Sequence, residues 1–145
     1  MENTEGTRKF LIATHGRLAG GVKSSLDIIT GAMDSIFLIE AYVDENRSIE
    51  DDIKAVVDQV GDNDELIVFS DIMGGSVTNQ ILQYARQSNV HVVSGFNLPL
   101  VIEIVLADTD TPAQEVIAEA IENAKQQMVY VNQLLAAQTQ EEDND

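Results

Sequence analysis

The sequence predicts an α/β fold, an open doubly wound and mostly parallel sheet with helices on both faces. Three observations predict it: short apolar runs without polar alternation, amphipathic segments between those runs, and capping residues at the boundaries. The length of 145 residues fits a single domain with a sizeable core, which we assign to residues 1–135. The acidic remainder, residues 136–145, is expected to be a disordered tail.

Four apolar runs are predicted to be strands: residues 9–14, 36–43, 66–69 and 90–94. We expect the flavodoxin-like order 2-1-3-4, in which the first and third strands are neighbours. Sheets of this class bind ligands at the carboxyl ends of their strands, beside the point where the strand order reverses. His15 follows the first strand and Asp71 follows the third, so the two side chains are expected to meet there.

Helical periodicity accounts for the segments between the strands. The first helix is expected to end at Gly31. It presents one apolar stripe, made of Leu18, Val22, Leu26 and Ile29. The second begins after Ser48 as N-cap and presents a second apolar face before Gly61, made of Ile49, Ile53, Val56, Val57 and Val60. A third helix opens at Gly74-Gly75-Ser76 and continues to about Ala85.

The last third of the chain predicts two more helices. One begins at Asn97-Leu98-Pro99 and runs to about Leu106. The next begins at Thr111-Pro112, with Gln114 completing a capping-box spacing and Pro112 at the first helical position, and continues through Ala124 or beyond. Residues 128–131 fit either a helix or a strand.

The composition is strongly acidic, with 25 acidic and 8 basic residues and a formal net charge of −17. Such a surface repels nucleic acid and attracts a basic protein partner, although acidity can also serve solubility alone. The lack of cysteine excludes disulfides and thiolate metal sites, and we expect neither a metal nor another cofactor. Apolar stretches are too short for a membrane span and the N-terminus lacks a secretory pattern, so a cytoplasmic protein is expected.

The candidate chemistry lies around His15. A carboxylate at Asp71 that accepts the Nδ1 proton would fix the ring tautomer and leave Nε2 free as a nucleophile. Gly74, Gly75 and Ser76 would offer backbone N–H groups and a hydroxyl to an anion. Each of these features has an ordinary explanation: the histidine can be an incidental surface residue, the aspartate a turn residue, and Gly-Gly-Ser a common turn. Only their combination indicates a phosphohistidine site.

Two basic residues close to His15, Arg17 and Lys23, could face a phosphate or simply be solvated. The second histidine, His91, has no comparable carboxylate after a strand, and we interpret it as incidental.

Three motifs together resemble the mannose-family IIA domain of the bacterial sugar phosphotransferase system: Ala13-Thr14-His15-Gly16, Ser70-Asp71-Ile72-Met73-Gly74-Gly75-Ser76 and Gly95-Phe96-Asn97-Leu98-Pro99-Leu100. The likeness covers residues 8–135, in the same order and spacing. It implies that His15 accepts a phosphoryl group from the phosphocarrier HPr and passes it to a IIB component, with the membrane components IIC and IID as indirect partners. Asp71 matches the aspartate that orients the histidine, and Ser76 matches a residue of the phosphoryl pocket.

The resemblance also implies a homodimer that exchanges a C-terminal antiparallel strand, here residues 128–133. Two positions depart from the family's common pattern: Met73 stands where Trp is frequent, and Val77 where Pro is frequent. These departures leave open whether the system transports a hexose or feeds a dihydroxyacetone kinase. A non-catalytic module that binds a small anion on the same fold is the alternative from another functional class.

Overall fold

The structure, a computed structural model, describes residues 6–31, 35–87 and 89–143. Across these residues four parallel strands form one sheet in the order β2-β1-β3-β4. The strands are β1 (Arg8–His15), β2 (Ile36–Ala41), β3 (Glu65–Ser70) and β4 (Val90–Ser94). The predicted fold class and strand order are confirmed, and β1 lies next to β3 as expected.

The helices that cover the sheet are α1 (Leu18–Thr30), α2 (Ile49–Val57), α3 (Ser76–Leu82), α4 (Leu98–Leu106) and α5 (Ala113–Lys125), followed by α6 (Val131–Asp143). Several predicted boundaries are confirmed. Gly31 follows α1 with a φ of 86°, and the Asn97 side chain caps α4 by accepting the Leu100 N–H at 3.0 Å. Within the described residues, no helix has the length and apolar character needed to cross a membrane.

The sheet separates two hydrophobic cores. Along β1, Phe10 and Ile12 point into one core, whereas Leu11 and Ala13 point into the other, because successive strand side chains alternate between faces. Helices α1, α4 and α5 close the first core, and α2 and α3 close the second. This double coverage explains why the strands are apolar at almost every position.

Three local expectations were wrong. Strand β2 ends at Ala41 instead of continuing to residue 43, since Tyr42 has a left-handed backbone that breaks the extended run. Helix α5 begins at Ala113, because Pro112 has an extended ψ of 140° and itself occupies the N-cap position in place of Thr111. In α1 the Thr14 hydroxyl accepts the Ala19 N–H at 2.9 Å, and Ala19 is buried, whereas Leu18 and Ile29 of the predicted stripe are exposed.

The C-terminal segment also differs from its expectation. Residues 128–130 have no regular secondary structure, so no strand forms over residues 128–133 in the single chain. The expected disordered tail is helical as far as Asp143, because residues 134–138 are Leu, Ala and Gln, which favour helix. Residues 144–145 lie outside the described part of the chain. Exchange of this segment between two subunits stays a prediction.

Candidate active site

His15 and Asp71 lie together at the carboxyl ends of the two central strands. His15 is the last residue of β1 and Asp71 follows β3, and β1 pairs with β3 in parallel. The Nδ1 atom of His15 lies 3.0 Å from Asp71 Oδ2, and the backbone N–H of His15 donates to the same oxygen at 2.9 Å. Because an ionised carboxylate can only accept, Nδ1 carries the proton and Nε2 keeps its lone pair.

The environment of Asp71 keeps its carboxyl ionised. Burial alone would raise the pKa of Asp71, but the hydrogen bonds from the His15 backbone N–H and imidazole, together with the favourable electrostatic interaction with the ring, outweigh it. The pKa of Asp71 therefore lies below its usual value of 3.8. Among the described residues, Oδ1 has no hydrogen-bond partner, so the carboxylate contacts His15 through a single oxygen.

The loop from β3 to α3 brings glycines and a hydroxyl to the open side of the imidazole. Gly74 has a φ of 80°, and Gly75 precedes α3 in extended conformation. A Cβ on Gly75 would lie 3.2 Å from the Ile72 carbonyl oxygen and 3.4 Å from His15 Cε1, so glycine allows this close approach. The Ser76 Oγ lies 3.4 Å from His15 Nε2. The first turn of α3, residues 76–79, carries no charged side chain.

A buried hydroxyl pair under the site was missed by the sequence analysis. The Thr78 hydroxyl donates to the Ile72 carbonyl at 2.7 Å and lies 2.8 Å from Ser70 Oγ. Ser70 and Thr78 are both fully buried, so these bonds tie the end of β3 to the loop and to α3. Polar residues at the end of an apolar strand were the signal that could have revealed them.

Tyr42 is a further neighbour that the sequence analysis placed in a strand. Its ring lies 5.6 Å from the His15 ring, centroid to centroid, with an angle of 32° between the planes. The Tyr42 Oη lies 2.6 Å from Ser76 Oγ. Among the described residues it is the one non-glycine residue with a positive φ, 67°, a conformation that costs about 1–2 kcal/mol. The sequence carries no signal for this, since aromatic residues rarely adopt that conformation.

Among the described residues, the remaining candidates make no hydrogen bond or ion pair with His15, Asp71 or Ser76. Lys23 pairs with Asp27 one turn along α1, at 2.5 Å, while Arg17 is exposed at the N-cap position of α1. His91 lies inside β4, opposite Ile67, with its Nε2 3.8 Å from Glu65 Oε1. Within the described ranges, no cluster of three or more histidine, aspartate or glutamate side chains could hold a metal ion.

The chain matches one protein family over most of its length. The family is described as PTS system fructose IIA component, and its model matches residues 9–131. No curated protein sequence matches significantly.

Solved structures of phosphotransferase proteins share the fold. One is described as a phosphoenolpyruvate-dependent sugar phosphotransferase permease from Klebsiella pneumoniae, which is 32% identical in sequence and superposes with a TM-score of 0.86. The match covers 93% of this chain and 98% of the Klebsiella chain. A PTS IIA protein associated with a fucose utilization operon of Streptococcus pneumoniae is 27% identical, with a TM-score of 0.75, over 90% and 98% of the two chains. A mannose/sorbose-specific IIA subunit from Enterococcus faecalis, 21% identical with a TM-score of 0.74 over 85% and 93%, shares the fold.

Proposed function

Because the chain belongs to the mannose-type IIA family of the bacterial sugar phosphotransferase system, we propose that it is a phosphoryl carrier that works through His15. His15 accepts the group from phosphorylated HPr and passes it to a IIB component, which phosphorylates the incoming sugar. The membrane components IIC and IID are then indirect partners, and the carrier works in the cytoplasm as a homodimer.

One observation carries this proposal: the imidazole is held at Nδ1 and open at Nε2. Asp71 binds the ring proton on one side, and the Ser76 hydroxyl lies 3.4 Å from the nitrogen on the other. The His15 side chain is 37% exposed, which allows a partner's phosphohistidine to approach in line. Phosphoryl transfer needs mainly such positioning and charge stabilisation from a protein.

The transfer step uses these groups as follows. The Nε2 lone pair of His15 forms the new P–N bond while the P–N bond of the donor breaks and its electron pair returns to the donor ring. The His15 ring gains positive charge, which Asp71 stabilises through the Nδ1 proton. The Gly75 N–H is already bonded to the Ile72 carbonyl at 3.2 Å, so the phosphoryl oxygens would be bound by the Ser76 hydroxyl and by the first N–H groups of α3, which have no partner within the helix, while Gly74 and Gly75 allow the loop to pass close to the ring. Transfer to IIB is the same step in reverse.

The proposal is tested by a phosphoenolpyruvate-driven relay of enzyme I and HPr with labelled phosphate. We expect the wild-type chain to acquire one acid-labile phosphoryl group, and His15→Ala to acquire none while keeping its fold, since His15 lies at the surface. His91→Ala is the matched control and should be labelled like the wild type. A wild-type chain that stays unlabelled would favour the alternative, a module that only binds a small anion.

A further inference from the structure

Tyr42 holds an unfavourable backbone conformation next to the proposed phosphoryl site. Its φ of 67° lies in the left-handed region, and the residue as a whole is 62% exposed. Burial of the ring therefore does not explain why the fold keeps this conformation. Strained residues that persist in a fold commonly serve a functional site.

The Tyr42 side chain completes a chain of hydroxyl contacts to the reactive nitrogen. Tyr42 Oη lies 2.6 Å from Ser76 Oγ, and Ser76 Oγ lies 3.4 Å from His15 Nε2. The rings of Tyr42 and His15 also lie side by side, with centroids 5.6 Å apart and a tilt of 32°. The register of β1 with β2 produces this contact, because His15 pairs with Ala41 and Tyr42 follows directly.

The direction of the hydrogen bonds follows from the acidity of the two hydroxyls. A phenol is a stronger hydrogen-bond donor than an aliphatic hydroxyl, so Tyr42 donates to Ser76. The single Ser76 proton is then free to point toward Nε2. Donation into an oxygen strengthens the bond that the same hydroxyl gives, because linked hydrogen bonds polarise one another.

We propose that Tyr42 is a positioning residue for the phosphoryl group on His15 and acts through Ser76. The inference rests on the proposed function of His15. Once the P–Nε2 bond uses the nitrogen lone pair, the Ser76 proton turns to a phosphoryl oxygen and Tyr42 continues to donate to Ser76. No proton leaves either hydroxyl, and the Nδ1 proton stays on the His15 ring, hydrogen-bonded to Asp71.

The test is a double-mutant cycle of Tyr42→Phe and Ser76→Ala. Single-turnover phosphorylation is measured with phosphorylated HPr and, separately, with phosphoramidate, a small donor that needs no docking surface. The lifetime of phosphorylated His15 is followed by ³¹P NMR. Tyr42→Phe keeps the ring and should slow phosphorylation and shorten that lifetime about three- to tenfold, as expected for one hydrogen bond. Tyr84→Phe, at a half-buried tyrosine of the second core, is the matched control and should change neither.

The cycle decides whether Tyr42 works through Ser76. We expect Tyr42→Phe to have no further effect in the Ser76→Ala background. Equal factors in both backgrounds, or wild-type behaviour of Tyr42→Phe, would overturn the inference. A wild-type chain that neither donor phosphorylates would overturn the proposed function as well, so the two failures are distinguishable.

Discussion

Replacing Asp71 by asparagine removes the negative charge beside His15 while keeping a hydrogen-bond acceptor in the same place. Both donors from His15 converge on Oδ2, at 2.9 Å from the backbone nitrogen and 3.0 Å from Nδ1. An asparagine must therefore place its carbonyl oxygen there, because its NH₂ group would face two donors. The ring tautomer should be retained, and only the negative charge is lost.

The size of the effect follows from the charge that develops on the ring. Two unit charges about 4 Å apart attract by about 4 kcal/mol at an effective dielectric of 20, which is an upper bound here. The ring carries only part of a charge in the transition state and is partly exposed, so we take about one third to one half of that value. At about 1.4 kcal/mol for each factor of ten, Asp71→Asn should slow transfer about 10- to 30-fold.

The assay is single-turnover transfer from phosphorylated HPr, with ¹⁵N NMR of the His15 ring to identify the tautomer. Asp71→Ala is the comparison, since it also leaves the His15 backbone N–H without its acceptor and should be slower than Asp71→Asn. Wild-type rates for Asp71→Asn would show that the charge is not used. A proton on Nε2 in that variant would refute the assignment of the tautomer.

Three further predictions concern stability, assembly and steering. Asp71→Asn should lower the free energy of unfolding by about 1 kcal/mol at pH 7. Because the pKa of Asp71 is lowered in the folded state, this difference in stability should be fully present above pH 3.8 and should disappear as the pH falls through the folded pKa. Urea titrations measure the difference, and a value that does not change with pH would contradict the prediction. A chain ending at Lys125 should be a folded monomer by light scattering, since the removed segment exposes Met128, Val129 and Tyr130; a folded dimer would exclude the strand exchange. The rate of transfer from HPr should fall several-fold from low to high salt with an unchanged final extent. The groove beside Tyr42 is lined by Asp44, Glu45 and Glu50, and its Arg47 is paired with Asp52, so the groove is net acidic. Its attraction for a basic partner is screened at high salt, since the Debye length is only about 8 Å at 0.15 M. A rate that does not change with salt would mean that the acidity serves solubility alone.

Much of the fold could be predicted because long-range order here follows from local pattern. Each strand is a short apolar run, and the βαβ alternation leaves few possible topologies. The proximity of His15 and Asp71 followed from the strand order alone, since both residues come directly after neighbouring central strands. Their separation of 3.0 Å and the second bond from the His15 backbone required coordinates.

Two features that escaped prediction run against the preference of the local sequence. The left-handed Tyr42 contradicts the preference of aromatic residues, and its partner Ser76 is 34 positions away. At α5, the capping-box spacing of Thr111 and Gln114 matched a common motif, but the extended Pro112 took the N-cap position instead. Local propensity cannot foresee either outcome.

The two halves of the His15–Asp71 pair belong to opposite layers of the molecule. His15 leads into α1, which packs in one core, and Asp71 leads into α3, which packs in the other. Their hydrogen bond therefore joins the layers across the top of the sheet. A substitution that loosens either core can therefore alter the distance between His15 Nδ1 and Asp71 Oδ2, even when it lies far from the histidine. The NMR resonance of the Nδ1 proton would then report on the packing of both cores. Selection for the proposed phosphoryl transfer would then act on both cores at once.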